Sequence, residues 1–263
     1  MEIKYNNVYN MDCLEGMRFI NDKSVDMILC DLPYGWGTTK CKWDVIIPFD
    51  KLWLEYERII KDNGAIVLFG SQPFTSLLIS SNLNMFKYEI IWEKDKASNF
   101  TQAKKRFMKF HENICMFYKK QPIYNPQMVD VGKNWNSFSK NRNNKNDGLF
   151  GNSSTAISEY RDTTLRYPRS VIQFNVCRYG DKINENLHPT QKPVRLLEYL
   201  IKTYTNENDL VLDNCMGSFT TAVAAINTNR NFIGFEMDKG YYDLGCKRIE
   251  DLKLSSELNW LEY

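Results

Sequence analysis

Short, continuous apolar runs that end in an acidic residue recur along the chain. They occupy residues 25–31 (VDMILCD), 209–213 (DLVLD) and 231–236 (NFIGFE). A fourth apolar run, residues 63–71 (NGAIVLFGS), has no terminal acid. Runs of this length between turn residues are typical of parallel strands covered on both faces. Two more strands are predicted at residues 85–94 and 112–120.

Segments with helical periodicity separate these predicted strands. They are FDKLWLEYERIIKD (49–62), PVRLLEYLIKTYT (193–205), TTAVAAINT (220–228) and GYYDLGCKRIEDL (240–252). Alternating strands and helices with short connections predict an α/β fold with a doubly wound, mostly parallel sheet and helices on both faces.

One long segment does not follow this alternation. Residues 121–186 are rich in Asn, Ser and Lys and show little periodicity. A stretch of this length inside a compact domain is usually functional or disordered. We therefore predict an inserted module at 121–186, flanked by two halves of one domain at 1–120 and 187–263.

The charge of the chain is unevenly distributed. The whole chain has a net charge of +2, but residues 94–182 contain 17 Lys and Arg against 7 Asp and Glu, which leaves 17 against 25 elsewhere. A local charge of +10 is consistent with a polyanionic partner or with an ordinary solvated basic surface.

Composition excludes several classes of protein. A hydrophobic content of 43% favours a folded globular chain. No apolar run approaches the ~18 residues of a membrane-spanning helix, and the N-terminus lacks a signal-peptide pattern. The seven cysteines form no CxxC pair and there are only two histidines, so we predict no metal site, reduced thiols and a cytoplasmic location.

The acids at the strand ends predict a ligand pocket. Ligands of doubly wound sheets bind beyond the carboxyl ends of the strands, where Asp31, Asp213 and Glu236 fall. Glu236 follows the turn residue Gly217 by 19 positions, a spacing at which an acid binds ribose hydroxyls, although a simple strand-end role remains an alternative. Phe219 stands where a pyrophosphate loop prefers glycine, which favours S-adenosylmethionine over NAD.

The tetrapeptide Asp31-Leu32-Pro33-Tyr34 offers hydrogen-bond acceptors beside an aromatic ring. An exocyclic amine of a nucleobase carries two N–H donors that suit such acceptors. Holding both hydrogens would expose the nitrogen lone pair to a methyl donor without a metal or a covalent intermediate. A base in a duplex must leave the stack to reach this site. Taken alone, the tetrapeptide also fits an ordinary turn.

Taken together, the motifs resemble the β-group of DNA amino-methyltransferases, which is common in bacteriophages and restriction–modification systems. The resemblance rests on NMDCLEGM (10–17), the tetrapeptide, the block HPTQKP (188–193) and the loop DNCMGSFTT (213–221). The catalytic motif comes first along the chain, then the basic variable segment and then the cofactor-binding half, and this order defines the group. It implies a Rossmann-like methyltransferase fold with a seven-stranded mixed sheet and S-adenosylmethionine as cofactor.

The resemblance also implies roles for individual residues. Asp31, the Leu32 carbonyl, Pro33 and Tyr34 would hold a flipped base. An Asp at the head of the tetrapeptide is more frequent with N6-adenine than with N4-cytosine as target. Cofactor contacts are implied for Asp12, Cys13, Asp31, Thr190, Lys192, Asp213, Met216, Gly217, Ser218, Thr220 and Glu236.

The implied partner is double-stranded DNA, recognised by the inserted module. Arginine is the richest donor to guanine edges, while most lysines contact phosphate. The candidate DNA-binding residues are Trp36, Lys104, Lys105, Arg106, Arg142, Arg161, Arg166 and Arg169. Trp36 would pack beside the flipped base or fill the space it leaves, and a role in capping the core is the alternative. A homodimer and a cognate restriction endonuclease are further implied partners, and no membrane is.

Two departures from the family pattern qualify this interpretation. Leu32 replaces a proline but keeps its carbonyl, and Phe219 replaces the second glycine of the cofactor loop. The Phe219 ring would either crowd the cofactor or turn away at the start of the helix. We predict an N6-adenine DNA methyltransferase. N4-cytosine methylation, an RNA target and a catalytically silent DNA-binding homologue are the alternatives.

Overall fold

The computed structural model describes residues 1–35, 44–132, 164–177 and 191–259. It divides into two compact units. The first combines Met1–Asn125 with Arg169–Tyr263, and the second is Pro126–Pro168.

The first unit is built on a mixed, mostly parallel sheet. Its strands are β1 (Asn7–Tyr9), β2 (Val25–Cys30), β3 (Ile60–Gly70), β4 (Phe86–Glu93), β5 (His111–Phe117), β8 (Val171–Gln173), β9 (Leu210–Asp213) and β10 (Asn231–Phe235), in the order β1-β10-β9-β2-β3-β5-β4-β8. Only β5 runs antiparallel to its neighbours. The predicted fold class is confirmed, but the described sheet has eight strands rather than the expected seven, because β8 pairs with β4 at one edge.

Six helices cover the two faces of this sheet. On one face lie α1 (Cys13–Met17), α2 (Phe49–Ile59) and α3 (Phe74–Ser81), and on the other lie α4 (Val194–Tyr204), α5 (Thr220–Asn227) and α6 (Lys239–Asn259). The four predicted helices are present. The short α1, α3 and β1 were not predicted, because so few residues establish no clear periodicity.

Strand β2 explains why this sheet is buried on both sides. Ile28 and Cys30 pack with the α1–α3 face, whereas Met27 and Leu29 pack with the α4–α6 face. Each fully buried aliphatic side chain contributes about 1.5–3 kcal/mol relative to exposure. Both sets of alternating positions must therefore be apolar, which accounts for the continuous run in the sequence.

The second unit contains a two-stranded antiparallel pair. Strands β6 (Val129–Asp130) and β7 (Leu165–Arg166) pair through Val129 with Arg166 and Asp130 with Leu165. This unit lies within the predicted insertion at 121–186, whereas β8 of the same predicted segment belongs to the main sheet.

No helix in the described parts of the chain is both long and apolar enough to cross a bilayer.

Candidate active site

A cavity of about 660 Å³ opens at the carboxyl ends of the parallel strands. Asp31 follows β2, Asp213 ends β9 and Glu236 follows β10, and all three line the cavity. Neighbouring loops add Asp12, Tyr34, Lys192 and Gly217 to the wall, and strand β5 adds Glu112. The structure therefore brings the three predicted strand-end acids into one site.

The Asp31 carboxylate is engaged on both oxygens. Its Oδ1 accepts a hydrogen bond of 2.9 Å from the Tyr34 hydroxyl, and its Oδ2 forms an ion pair with the ammonium group of Lys192. Burial raises the pKa of Asp31, and the positive charge of Lys192 offsets this rise only in part. The carboxylate is thus held in one orientation beside a buried cation.

Lys192 is the centre of a buried charge network that extends beyond Asp31. Its Nζ lies 3.4 Å from Glu112 Oε2, and Glu112 Oε1 is paired with Lys94. Burial disfavours the charged form of Glu112, but Lys192 and Lys94 together hold the pKa of this carboxyl below its ordinary value. Glu112 Oε2 has no hydrogen-bond partner within the described residues, so its contact with Lys192 is a long ion pair only.

Aromatic rings support the two buried lysines. Lys192 Nζ lies 5.1 Å from the centroid of Phe69, and Lys94 Nζ lies 4.8 Å from that of Trp92. Cation–π contacts of this length are favourable when the cation is desolvated. The rings and the carboxylates together compensate for the removal of two ammonium groups from water.

Sequence reasoning missed Lys94 and Glu112. The predicted cavity residues were acids at the ends of parallel strands. Strand β5 is antiparallel, so its beginning lies at the same edge of the sheet. Glu112 is the second residue of β5, and Lys94 follows the adjacent strand β4. The predicted strands at 85–94 and 112–120 contained the necessary signal, provided that β5 was assigned the opposite direction.

The remaining tetrapeptide residues line the cavity next to Asp31. Leu32 is buried, and the Tyr34 ring stacks on Phe74 with centroids 4.8 Å apart and an interplanar angle of 23°. Burial, followed by the charge of Asp31, raises the pKa of the Tyr34 hydroxyl well above its ordinary value. Tyr34 is therefore a neutral donor to Asp31 at any physiological pH.

Asp213 is a buried carboxylate stabilised by uncharged donors. Its oxygens accept hydrogen bonds from the Cys215 backbone N–H at 3.0 Å and from the Thr221 hydroxyl. Burial raises the pKa of Asp213 to about 6, and these two donors moderate the rise. Asp213 therefore titrates near pH 6.

Glu236 organises the turn that follows β9. It accepts the Gly217 N–H at 2.7 Å and the Asp238 N–H at 2.8 Å, and burial raises its pKa. Gly217 has φ +52°, a conformation that favours glycine. The 19-residue spacing between Gly217 and Glu236 thus corresponds to a direct contact.

The other described residues with a predicted cofactor role also line the cavity. They are Asp12, Cys13, Met216, Ser218 and Thr220. Asp12 is in addition the N-cap of α1, because its Oδ1 accepts the N–H groups of Leu14 and Glu15 at 2.8 and 3.2 Å. Thr190 lies outside the described residues.

Phe219 does not enter the cavity. Its backbone has φ +61°, and its fully buried ring packs against Gly245 and, edge-on at 5.9 Å, against Tyr242 of α6. A non-glycine residue in this conformation costs about 1–2 kcal/mol, and burying a Phe ring contributes about 1.5–3 kcal/mol. The side chain therefore turns away at the helix start, which removes the reason for expecting a closed cofactor pocket.

The predicted DNA-binding residues fall at separate places. Lys104, Lys105 and Arg106 are exposed on the loop between β4 and β5. Arg169 is exposed just before β8, and Arg166 is in β7 of the second unit. Trp36, Arg142 and Arg161 lie outside the described residues.

The carboxylates around Asp213 fit a cationic nucleoside cofactor. Within the described parts of the chain, Asp12, Asp213 and Glu236 have no ion-pair partner. Carboxylate oxygens accept hydrogen bonds from ribose hydroxyls and amino groups and attract positive charge. The fold and this set of acceptors together define a Rossmann-like methyltransferase that uses S-adenosylmethionine.

Comparison with known proteins agrees with this class. A model of the N6/N4 DNA methylase family matches residues 25–247. The chain is 29% identical over 270 residues to the type II methyltransferase M1.MboII of Moraxella bovis, covering 96% of this chain and all of the relative. It is 31% identical over 261 residues to the DNA adenine methyltransferase YhdJ of Escherichia coli K12, covering 91% and 81%.

Solved structures show the same similarity. The complex of M1.HpyAVI with S-adenosylmethionine has a TM-score of 0.60 and 26% identity, covering 92% of this chain and 98% of that one. The cytosine-N4-specific PvuII methyltransferase shares the fold, with a TM-score of 0.64 at 16% identity over 93% and 86% of the chains. The chain belongs to the N6/N4 DNA methylase family of amino-methyltransferases.

Proposed function

We propose that this protein transfers a methyl group from S-adenosylmethionine to the exocyclic N6 amine of an adenine flipped out of duplex DNA. The observation that carries the proposal is the Asp31 carboxylate, fixed by Tyr34 and Lys192 at the end of β2 inside the cavity. The choice of adenine is supported by the Asp at the head of the tetrapeptide and by the similarity to a relative named as an adenine methyltransferase.

Asp31 and its neighbours would position the target amine. In the proposed complex, N6 donates one hydrogen bond to Asp31 and the other to the Leu32 carbonyl, while the base stacks on Tyr34. Bound S-adenosylmethionine would supply an electrophilic methyl group with its sulfonium as the leaving group. The two acceptors would hold N6 with its lone pair toward that methyl. Asp31 takes the proton that N6 loses, a role that suits a carboxylate whose pKa is raised by burial.

Lys192 has to release part of Asp31 when the base arrives. Asp31 Oδ2 is paired with Lys192, whereas Glu112 Oε2 lies 3.4 Å from the same ammonium without a hydrogen bond. A small shift of Lys192 toward Glu112 would free Oδ2 for the amine and satisfy the buried oxygen. Glu112 is then a positioning residue that acts on Asp31 through Lys192.

The part of the cavity around Asp213 and Glu236 would hold the cofactor. Glu236 fits the ribose hydroxyls, because its contact with Gly217 places it beside the turn at the start of α5. Asp213 and Asp12 supply acceptors for amino groups of the cofactor. Cys13, Met216, Ser218 and Thr220 complete the surrounding wall.

The inserted module at 121–186 is proposed to recognise the DNA site. Its positive charge complements the phosphate backbone, and Arg166 is one of its candidate donors to base edges. A homodimer, a cognate restriction endonuclease and a cytoplasmic location belong to the same proposal.

The decisive experiment is methyl transfer from labelled S-adenosylmethionine to unmethylated genomic DNA. After digestion, the labelled nucleoside is identified, and sequencing then locates the site. Label in N6-methyladenine is the expected result. Label in N4-methylcytosine would retain the reaction but replace the target base, and label only in RNA supplied in parallel would replace the nucleic acid.

A further inference from the structure

The loop between β4 and β5, residues 94–110, is strongly basic. It contains six Lys and Arg residues (Lys94, Lys96, Lys104, Lys105, Arg106 and Lys109) and one acidic residue, Asp95. Of these, only Lys94 is buried, in the network with Glu112. The rest of this charge suits a polyanion such as the phosphate backbone of DNA.

An aromatic ring stands among these charges. Phe107 follows Lys104, Lys105 and Arg106 directly, and its side chain is 99% exposed, more than any other large apolar residue in the described regions. Packing among the described residues does not account for an apolar side chain with so much exposure. The adjacent basic residues favour a nucleic acid as the partner that covers the ring.

The backbone around Phe107 is fixed by hydrogen bonds across the loop. The Asn99 side chain donates from Nδ2 to the Phe107 carbonyl at 3.1 Å and accepts the Lys109 N–H on Oδ1 at 2.6 Å. The Ser98 N–H donates to the Lys109 carbonyl at 3.1 Å. Phe107 is therefore presented by a defined turn.

The same turn borders the active-site cavity. Lys96, Ala97 and Ser98 line the cavity wall, and Ser98 and Asn99 are the residues that bind the segment carrying Phe107. A base that enters the cavity would leave its gap in the duplex next to this turn. Aromatic and aliphatic side chains are known to occupy such gaps between base steps.

We propose that Phe107 is a wedge that inserts into the duplex and occupies the space left by the flipped base, while Lys104, Lys105 and Arg106 hold the flanking phosphates. This inference rests on the proposed function, because it requires a target base that leaves the stack. Extrusion costs unstacking and unpairing of the target, and an inserted ring compensates for part of the lost stacking.

The test compares Phe107→Ala with wild type on a short duplex that contains the methylation site mapped on genomic DNA. We expect kcat/KM for methyl transfer to fall by about 10- to 100-fold. Phe107→Tyr retains a ring and is expected to stay within about twofold of wild type, on the same principle. Phe100→Ala, which removes another exposed ring of the same loop, is the matched control and should have little effect.

A second duplex, with an abasic position opposite the target base, separates wedging from simple DNA contact. Its target base is already unpaired, so most of the Phe107→Ala defect should disappear on this substrate. An unchanged rate for Phe107→Ala on the normal duplex, or an equal loss on both duplexes, would overturn the wedge. Thermal unfolding and cofactor affinity should match wild type, because Phe107 is almost fully exposed among the described residues.

Assays of the wild-type protein distinguish failure of the Phe107 wedge from failure of the proposed methyl transfer to DNA. Methyl transfer by wild type together with full activity of Phe107→Ala rejects the wedge and leaves the proposed function intact. Absence of transfer to any DNA by wild type rejects the proposed function, and the wedge with it.

Discussion

Two parts of the active-site cavity compensate buried negative charge in different ways. Around Asp31, the protein supplies its own countercharges, with Lys192 between Asp31 and Glu112 and Lys94 behind Glu112. Around Asp213, the carboxylates of Asp213 and Glu236 accept hydrogen bonds from uncharged donors, among them backbone N–H groups and the Thr221 hydroxyl.

This difference favours the part around Asp213 as the place where a charged ligand would bind. The buried Asp31 carboxylate is balanced by the buried Lys192 ammonium. The part of the cavity around Asp31 therefore suits an uncharged nucleobase. Burial raises the pKa of Asp213, which has no cationic partner among the described residues. Such a carboxylate gains most from a positively charged ligand. The cofactor of the family carries such a charge at its sulfonium and its amino group.

The largest effect on catalysis is expected from removing the Asp31 carboxylate. Asp31→Ala should lower kcat for methyl transfer by about 100- to 1,000-fold, because the target amine loses its main acceptor. Cofactor affinity should remain close to wild type. Single-turnover rates and calorimetric titration with S-adenosylmethionine measure the two quantities separately. Methyl transfer at the wild-type rate would contradict the assigned role of Asp31.

The second largest effect is expected in the pH dependence of cofactor affinity, through Asp213. Below about pH 6, Asp213 takes up a proton in the free protein and loses its attraction for a cation. Cofactor affinity should therefore weaken as pH falls, with Kd rising about tenfold per pH unit well below the pKa. Calorimetry between pH 5 and 8 tests this expectation.

The matched variant for this measurement is Asp213→Asn. It keeps an acceptor for the Cys215 N–H but cannot ionise, so its affinity should be weaker at pH 8 and should vary less with pH. The remaining dependence would come from Glu236, whose pKa burial also raises. An equally steep pH dependence in wild type and variant would show that Asp213 does not face the bound charge.

A smaller change should follow from Glu112→Gln. Wild-type activity requires ionised Asp31 and is lost as pH falls through the pKa of this carboxyl. The charge of Glu112 raises that pKa, so its removal should move the acid limb of the kcat profile to lower pH and reduce the plateau by about 3- to 10-fold. The groups facing Asp31 are Lys192, Tyr34 and Glu112, and Lys94 lies beyond Glu112.

Glu89→Gln is the control for this substitution. Glu89 is an exposed residue of β4 that accepts a hydrogen bond of 2.8 Å from Asn113 and does not line the cavity. An identical pH profile for wild type and Glu112→Gln would exclude Glu112 as a positioning residue, whereas a parallel loss in both variants would indicate a structural effect.

The smallest effect on catalysis is expected at the contact between Phe219 and Gly245. A Cβ at Gly245 would lie 2.3 Å from the Phe219 ring, so Gly245→Ala should lower the free energy of unfolding by about 1–3 kcal/mol. Activity per folded molecule should not change. In a Phe219→Gly background the same substitution should cost much less, and an undiminished cost in a double-mutant cycle would show that the ring is not the obstacle.

The fold and part of the site were predictable for physical reasons that differ. The long buried strands are recognisable in the sequence because both of their faces must be apolar. The acids at their ends were predictable as site residues because the cavity of such a sheet lies at the carboxyl ends of its parallel strands. Glu112 was missed because the antiparallel β5 places its beginning at that edge. Lys94 was missed because it is a base that follows β4, whereas only acids at strand ends were predicted to line the cavity. The direction of the Phe219 ring was open in the sequence, since it depends on the space that Gly245 leaves on a distant helix.

The anchoring of the chain on either side of the second unit has a consequence for how such proteins diversify. Asn125, just before the unit, bonds to the carbonyls of Thr203 and Thr205 at 2.8 and 3.1 Å, and Ser170, just after it, accepts the Ile91 N–H at 2.7 Å. Entry and exit are thus each tied to the sheet and its helices. We therefore expect residues 126–168 to tolerate replacement by new sequence while the scaffold of the first unit keeps its shape.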